Sequence, residues 1–301
     1  MSIAVLNTAK AKSPATREPS GAAKGATSNG VPASTSTAIS GPSATDAVTL
    51  PLVTPPVAAP AAHGAPLPAP PEVDLEYLKE QSLRLENASP REIIAWAVEN
   101  YFPSLTMATA FGPEGCVIIH FLAEIEPRTH LFNLDTGYQF KETLELRDRL
   151  AKRYGVEVEL KQAATTVAEY EAQNGGPLYK TNPDQCCFDR KITVLRQAAV
   201  GYHAWMSGIR RDQSSDRAKA AIVGWDKKFG LVKISPLANW TKQDVWKLIT
   251  EQNIPYNPLH DQGYTSIGCW PCTRAVMFGE DERAGRWSGT GKKECGLHTS
   301  E

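Results

Sequence analysis

The chain has no run of about 18 consecutive apolar residues, the length that a membrane-spanning helix requires. Its most apolar early stretch, VTLPLVTPPVAAPAA, is broken by prolines that such a helix would not accept. No membrane association is expected. An excess of one charge is missing as well, since 32 Lys and Arg stand against 33 Asp and Glu for a net charge of −1. No whole-surface footprint for nucleic acid follows from that balance, so any anion site has to be a local cluster. Cysteine is scarce, with six in 301 residues, and the chain does not open with the charged-then-apolar pattern of a secretory signal. Reduced thiols or metal ligands are therefore favoured over a disulfide scaffold, and the expected compartment is the cytoplasm.

Residues 1–71 also lack large apolar side chains, being mostly Ala, Pro, Ser, Thr and Gly. Such a composition buries too little surface to offset its ordering entropy, so a disordered tail is expected. An organelle transit peptide is the alternative, disfavoured by scarce arginine and the lack of an amphipathic helix. Residues 72–301 read as one domain, with a mobile segment at 287–301. Within it, Ser89, Pro90 and Glu92 form a helix start ahead of the apolar run IIAWAV. SLTMATA reads as a buried strand that ends at the turn FGPEG and feeds the helical CVIIHFLAEI. THLFNLD is a second strand, ending at the turn TGY before the helical FKETLELRDRLAKRY, and VEVEL is a third. HAWMSGI, AIVGW and LVKIS look like further strands, and TKQDVWKLITEQ is a helix capped by Thr241 with Asp244. This alternation predicts an α/β fold with a mostly parallel sheet covered on both faces, whose ligands bind at the strands' carboxyl ends.

FGPEG, with Gly112 and Gly115, can offer backbone N–H groups and a helix N-terminus to a phosphate. A plain glycine connection between strand and helix is the alternative, and the turn is neither a dinucleotide fingerprint nor a Walker A sequence. QCCFDRK and GCWPC bring two cysteine pairs, Cys186 with Cys187 and Cys269 with Cys272. Four thiolates suit zinc or an iron–sulfur cluster and exclude magnesium or calcium. Adjacent cysteines in an extended chain point apart, which favours the larger 4Fe-4S centre; the alternative is a helix start at Cys186 and Cys187 with one buried thiol, and a thioredoxin-type redox pair at Cys269 and Cys272. Cys116 sits in an apolar helical run and reads as a small buried hydrophobe. Cys295 is then the remaining thiol, in a polar tail where Lys292, Lys293 and His298 can stabilise its thiolate. A terminal cysteine without a role is the alternative there. GIRRDQSSDRA and GEDERAGRW supply Arg210, Arg211, Arg217, Arg283 and Arg286, whose guanidinium forks match phosphate or sulfate oxygens. The same arginines can instead pair with Asp212, Asp216, Asp281 and Glu282 on a solvated face.

With TAFGPEG, NLDTGYQFKET, QCCFDRK, GIRRDQSSDRA, YNPLHDQGYTSIGCWPCTRAV, GEDERAGRW and KKECGLH in this order, the chain resembles the assimilatory adenylyl-sulfate reductase family over about residues 75–301. The resemblance implies an adenine-nucleotide α-hydrolase-like fold of the PP-loop type. It implies thioredoxin-dependent reduction of adenosine 5′-phosphosulfate to sulfite and AMP, in assimilatory sulfate reduction. Cys295 would be the nucleophile, carrying an S-sulfonate that thioredoxin or glutaredoxin releases. A 4Fe-4S cluster on Cys186, Cys187, Cys269 and Cys272 is implied too, with Lys191 in reach of cluster and substrate. Arg283, Arg286, His298 and one of Arg210, Arg211 and Arg217 would hold the phosphosulfate. Phe111 and Gly112 of the first turn and Asp135 of the second would wall the adenosine and its phosphate. Ala110 departs from the serine common in relatives, which puts first-turn side-chain contacts in question. No thioredoxin-like domain follows Glu301, so a separate reductant is expected, and a homo-oligomer is compatible with these expectations. Reduction of 3′-phosphoadenylyl sulfate, ATP-dependent sulfur transfer on the same fold, and a zinc-stabilised RNA-binding module are the competing readings.

Overall fold

Helix starts are written locally in this chain. The computed structural model describes residues 72–292 and 294–297; the expected disordered tail, Lys293 and His298 lie outside the described residues. Helix α1 (Leu75–Arg84) is capped by Asp74, and α2 (Pro90–Tyr101) opens on the expected capping box of Ser89 and Glu92. Strand β1 (Leu105–Ala108), helix α3 (Pro113–Ile125), strand β2 (His130–Asp135), helix α4 (Lys141–Tyr154) and strand β3 (Val158–Gln162) follow in the expected alternation. Gly112 is the N-cap of α3, so Gly115 lies in the helix's first turn rather than in the preceding connection. Four short helices come next: α5 (Val167–Gln173), α6 (Leu178–Thr181), α7 (Pro183–Cys187) and, after a π-helical turn at Phe188–Ile192, α8 (Thr193–Ala198). Strands β4 (Ala204–Met206), β5 (Val223–Asp226) and β6 (Leu231–Ile234) and helix α9 (Lys242–Glu251) complete the frame, and Thr241 and Asp244 form a capping box on α9.

The six strands order as β3-β2-β1-β4-β6-β5, and every pairing is parallel except β5 with β6. The fold expected from the sequence is therefore the observed one. Side chains alternate across each strand, which sends them into two apolar layers. Leu105, Met107, Leu131, Met206 and Ile234 pack in one layer with α2 and α3, whereas Phe132, Trp205 and Leu231 meet α8 on the other. The chain steps outward from β1 to β2 and β3, then returns to place β4 on the other side of β1. A crevice opens where the order reverses, at the carboxyl ends of β1 and β4. No helix among the described residues is long and apolar enough to cross a membrane.

Two substitutions separate cap from core. Thr241→Ala removes one cap bond and should cost about 1 kcal/mol of unfolding free energy. Ile118→Ala, in a side chain with no exposure, should cost about 3 kcal/mol. Urea unfolding of both variants checks the order, and a larger loss at Thr241 would contradict the burial seen here.

Candidate active site

The crevice beside β1 and β4 is a cleft of about 340 Å³, a size typical of small-molecule sites. Its walls include Thr109 and Ala110 after β1, Ser207 and Gly208 after β4, and Glu114 and Gly115 in the first turn of α3. Helix N-termini attract anions through free N–H groups and the helix dipole. Close approach is achieved by glycine, since a Cβ on Gly115 would stand 2.7 Å from Thr109 Oγ1. Among the described residues, Ser207 Oγ, Arg210 Nη2, His260 Nε2 and Arg286 Nε are buried without a hydrogen-bond partner, and all four residues line this cleft. Buried polar atoms of this kind are costly unless something pairs with them. Their concentration here marks a binding site.

A second chamber of about 190 Å³ continues from the first, sharing Thr109, Ala110, Arg217, Arg283 and Arg286. It adds Lys191 from the π-helical turn, and Cys295 and Leu297 from the C-terminal segment. Arg286 is set by an antiparallel bridge to Thr273 and lies against the Trp287 ring, 4.3 Å from its centroid. Gly268 leaves the room for it: a Cβ there would stand 2.2 Å from Arg286 Nη2. Arg217 and Arg283 both bind the carboxylate of Glu294, the residue before Cys295. Burial pushes the Arg283 pKa down, Glu294 opposes that, and Arg217 and Arg286 reinforce it. Burial would also lower Lys191, but Cys269, Cys187 and Cys295 outweigh it and hold the ammonium above its ordinary value. The chamber is a concentrated cationic pocket with two thiols, Cys269 and Cys295, in its lining.

Beyond Lys191 lies a third cavity, lined by Cys186, Cys187, Cys269 and Cys272. The first two end α7 and enter the π-helical turn, so the chain is coiled there and not extended as the sequence argument assumed. The loop carrying Cys269 is pinned by a bridge to Gln139, a Trp270 N–H to the Tyr138 carbonyl at 2.8 Å, and Thr136 Oγ1 at 3.3 Å from Cys269 Sγ. Burial pushes Cys186 up to about 12, and the neighbouring thiols Cys187, Cys269 and Cys272 add to it. Burial likewise raises Cys272 to about 11, followed by Cys269 and Cys187. Cys269 runs the other way, because Lys191 and the Thr136 hydroxyl outweigh its burial and lower it. Thiols that resist joint ionisation are relieved by a bound cationic centre. Among the described residues no three His, Cys, Asp or Glu side chains are grouped tightly enough for a single metal ion. A lone zinc would need its sulfurs about 2.3 Å away. Four soft donors around a shared cavity suit a thiolate-bound centre, zinc or iron–sulfur.

The sequence-expected residues divide by place. Lys191, Arg217, Arg283, Arg286 and Cys295 share the second chamber. Arg210 lines the first, but it is 1% exposed and already paired with Glu114 and Asp212, so it braces the wall. Arg211 turns away to Glu86 and the Ala220 carbonyl. Phe111 is 1% exposed in the core with φ 55°, and Asp135 accepts from the Gly137 N–H and Gln162 Nε2; neither lines these cavities. Gly112 acts only as the cap that starts α3 beside the cleft. Lys292 pairs with Asp184 of α7, so the expected thiolate partner is a tail anchor instead, and Lys191 and Arg283 take its place near Cys295. Within the segment 287–301, described residues make contacts with the domain: Trp287 is buried, and Lys228 Nζ donates to the Gly296 carbonyl at 2.8 Å. Cys116 is buried, with its thiol pushed up to about 12, which fits an inert core role. Glu294 and Gly268 were not singled out from the sequence; their neighbours Cys295 and Cys269 were the only local signal.

Gly268→Ala should displace the Arg286 guanidinium and weaken inorganic sulfate binding by about tenfold, one charge-assisted contact. Gly291→Ala, where nothing lies within 4 Å, should leave it unchanged. Calorimetric titration of both variants with sulfate checks this.

The chain is similar to known proteins over most of its described length. The family model for the phosphoadenosine phosphosulfate reductase domain matches residues 104–275. The adenosine 5′-phosphosulfate reductase of Salinibacter ruber is 45% identical over 218 residues, 72% of this chain and 86% of that protein. A phosphoadenosine 5′-phosphosulfate reductase of Gloeobacter violaceus is 43% identical over 75% of this chain and 95% of its own. The crystal structure of phosphoadenylyl-sulfate reductase from Candida auris, a phosphate complex, superposes with a TM-score of 0.61 at 30% identity, covering 69% of this chain and all of that one. Matched by that family model over residues 104–275 and by relatives 43–45% identical over most of their length, the chain belongs to the phosphoadenosine phosphosulfate reductase domain family.

Proposed function

We propose that the protein reduces adenosine 5′-phosphosulfate to sulfite and AMP. The observation that carries this is Cys295 in one chamber with Lys191, Arg217, Arg283 and Arg286, next to a cleft at the strand ends. The cleft takes the adenosine, with α3 and its free N–H groups at the phosphate. The arginines hold the sulfate oxygens and offset charge as it shifts to the leaving phosphate. Cys295 Sγ, as thiolate, attacks the sulfate sulfur; the S–O bond breaks and its electron pair leaves with AMP. An S-sulfonate remains on Cys295. A dithiol protein, thioredoxin or glutaredoxin, then attacks Cys295 Sγ, sulfite leaves with the S–S electron pair, and the second thiol resolves the mixed disulfide and frees Cys295.

Cys186, Cys187, Cys269 and Cys272 would hold a 4Fe-4S cluster, for which their number, softness and shared cavity speak. When bound it supplies a fixed charged centre near the sulfate end of the site. Lys191, whose charge is favoured by Cys269, Cys187 and Cys295, orients the sulfate from that side. Six cysteines, free in this structure, suit the reducing cytoplasm. Phosphoadenylyl sulfate is the second substrate to weigh, since the Gloeobacter violaceus relative is named for it.

Sulfite release from both nucleotides with thioredoxin tests the reading. Adenosine 5′-phosphosulfate should be the preferred substrate, and Cys295→Ser should lose at least about a thousandfold in turnover. Sulfite formation retained in that variant would refute the nucleophile; preference for the 3′-phosphorylated nucleotide would reassign the substrate. Anaerobically purified protein should carry iron and acid-labile sulfide, and Cys187→Ala should lose both; zinc without sulfide would overturn the cluster.

A further inference from the structure

Glu294 stands immediately before the thiol, and what it binds is unexpected. Its carboxylate accepts from Arg217 Nε at 3.2 Å and Arg217 Nη2 at 3.0 Å, and from Arg283 Nη2 at 3.0 Å. The pair with Arg217 is enclosed, at 9% and 7% side-chain exposure. Carboxylate thus occupies the Nε–Nη2 edge of Arg217, the edge that also fits two oxygens of a sulfate or phosphate. Arg217 Nη1 is directed elsewhere, to Gln213 Oε1 at 2.6 Å. One edge serves one oxyanion at a time.

We propose that Glu294 is an internal stand-in for the substrate's anion: incoming oxyanion replaces its carboxylate on Arg217 and Arg283 and thereby releases Cys295 from its resting seat. The exchange itself needs only an oxyanion; that the anion is a nucleotide's phosphosulfate rests on the function proposed above. Emptying the site would take the carboxylate from the enclosed Arg217 guanidinium, which is strongly unfavourable, so an internal carboxylate keeps that charge paired until substrate arrives. Exchange of one anion for another is nearly balanced, and a group of higher charge tips it. The tail stays tethered during the exchange by contacts on both sides of Glu294. Lys292 pairs with Asp184, Lys228 holds the Gly296 carbonyl, and Leu297 packs beside Phe132 and Trp205. Glu294 is therefore a positioning residue that makes thiol release conditional on occupancy, and it lowers apparent affinity by the fraction of time it holds the site.

Inorganic sulfate is the probe, with the holoenzyme and the variants Glu294→Gln and Glu294→Asp. Sulfate affinity is read by calorimetry, and alkylation of Cys295 by iodoacetamide is read by peptide mass spectrometry. In the native protein, saturating sulfate should change the Cys295 alkylation rate several-fold. Glu294→Gln should bind sulfate about tenfold more tightly, one charge-assisted contact no longer competed for. Its Cys295 should already react at the sulfate-saturated rate and ignore added sulfate. Glu294→Asp, keeping the charge on a shorter arm, should stay responsive. In steady state Glu294→Gln should lower KM for the nucleotide without raising kcat. Unchanged sulfate affinity in Glu294→Gln, or a Cys295 rate that responds to sulfate as in the native protein, would overturn the proposal. If Glu294→Gln does not fold, a sulfate-insensitive Cys295 in the native protein overturns it by itself. None of the sulfate readouts requires turnover, so failure to form sulfite would count against the assigned reaction and not against the exchange.

Discussion

Four cations face one small chamber, and their repulsion is the constraint that the rest of the site answers. Lys191, Arg217, Arg283 and Arg286 come from different parts of the chain and meet beside Cys295. At short range and low dielectric such a group is strongly unfavourable unless anions offset it. Burial lowers the Arg283 pKa, and Arg217 and Arg286 push the same way against Glu294 and Cys295. Lys191 is held charged by three sulfurs around it. Thiolates, Glu294 and a substrate anion are thus alternative answers to one electrostatic demand. In the function proposed above the same demand serves the reaction, because an oxyanion drawn in to balance the charge arrives beside the Cys295 thiol.

Holding those cations together takes a frame that does not yield. The central strands supply it, buried on both faces between two apolar layers. The reversal of strand order at β1 opens the cleft, and loops after β1, β2 and β4 inherit their positions from strand ends. Arg210 contributes from inside this frame: bound to Glu114 on α3 and Asp212 on its own loop, it ties the β4 loop to the start of α3. The buried Arg190 does the same for the cysteine side, donating to the Thr136 and Thr165 carbonyls at 2.6 and 3.3 Å. Its guanidinium also lies over the Tyr170 ring, 5.1 Å from the centroid.

The frame was legible because its signals are local. Ser89 with Glu92 and Thr241 with Asp244 mark helix starts in a few residues, and strands such as LTMA and HLFNLD carry their apolar pattern within one element. The segment from α5 to α8 was not legible, since its helices are short, are interrupted by Gly175, Gly176, Pro177 and Pro183, and contain a π-helical turn that no simple period announces. The cysteine count was readable, and a helical setting for Cys186 and Cys187 was open as an alternative to the extended one, although their place at the end of α7 was not. The arginines show the limit most clearly. Arg210, Arg211 and Arg217 sit within eight consecutive positions, yet one enters the wall, one reaches Glu86, and one enters the chamber. Their fates are decided by Glu114, Glu86 and Glu294, all distant in sequence. Phe111 was misplaced for a similar reason: the turn was identified, but its backbone at φ 55° sends the ring into the core.

On the function proposed above, Cys295 has two incompatible duties, one inside a nucleotide site and one against a second protein. Residues 294–297 form neither helix nor strand, and they are held by separable contacts: the Glu294 pairs, the Lys228 bond to Gly296 and the packing of Leu297. Each such contact contributes about 1 to 3 kcal/mol. Release of the segment breaks no strand ladder and no helix, so it is a local opening and not global unfolding. A thiol built into β1 or α3 would have no such exit, because moving it would break a ladder or a helix that positions the cleft. Polar anchors on a short segment let the same cysteine be fixed while Glu294 fills the anion site and shift within its tethers when substrate takes that place. The electrostatic demand of the chamber and the location of the nucleophile are in this way two aspects of one arrangement.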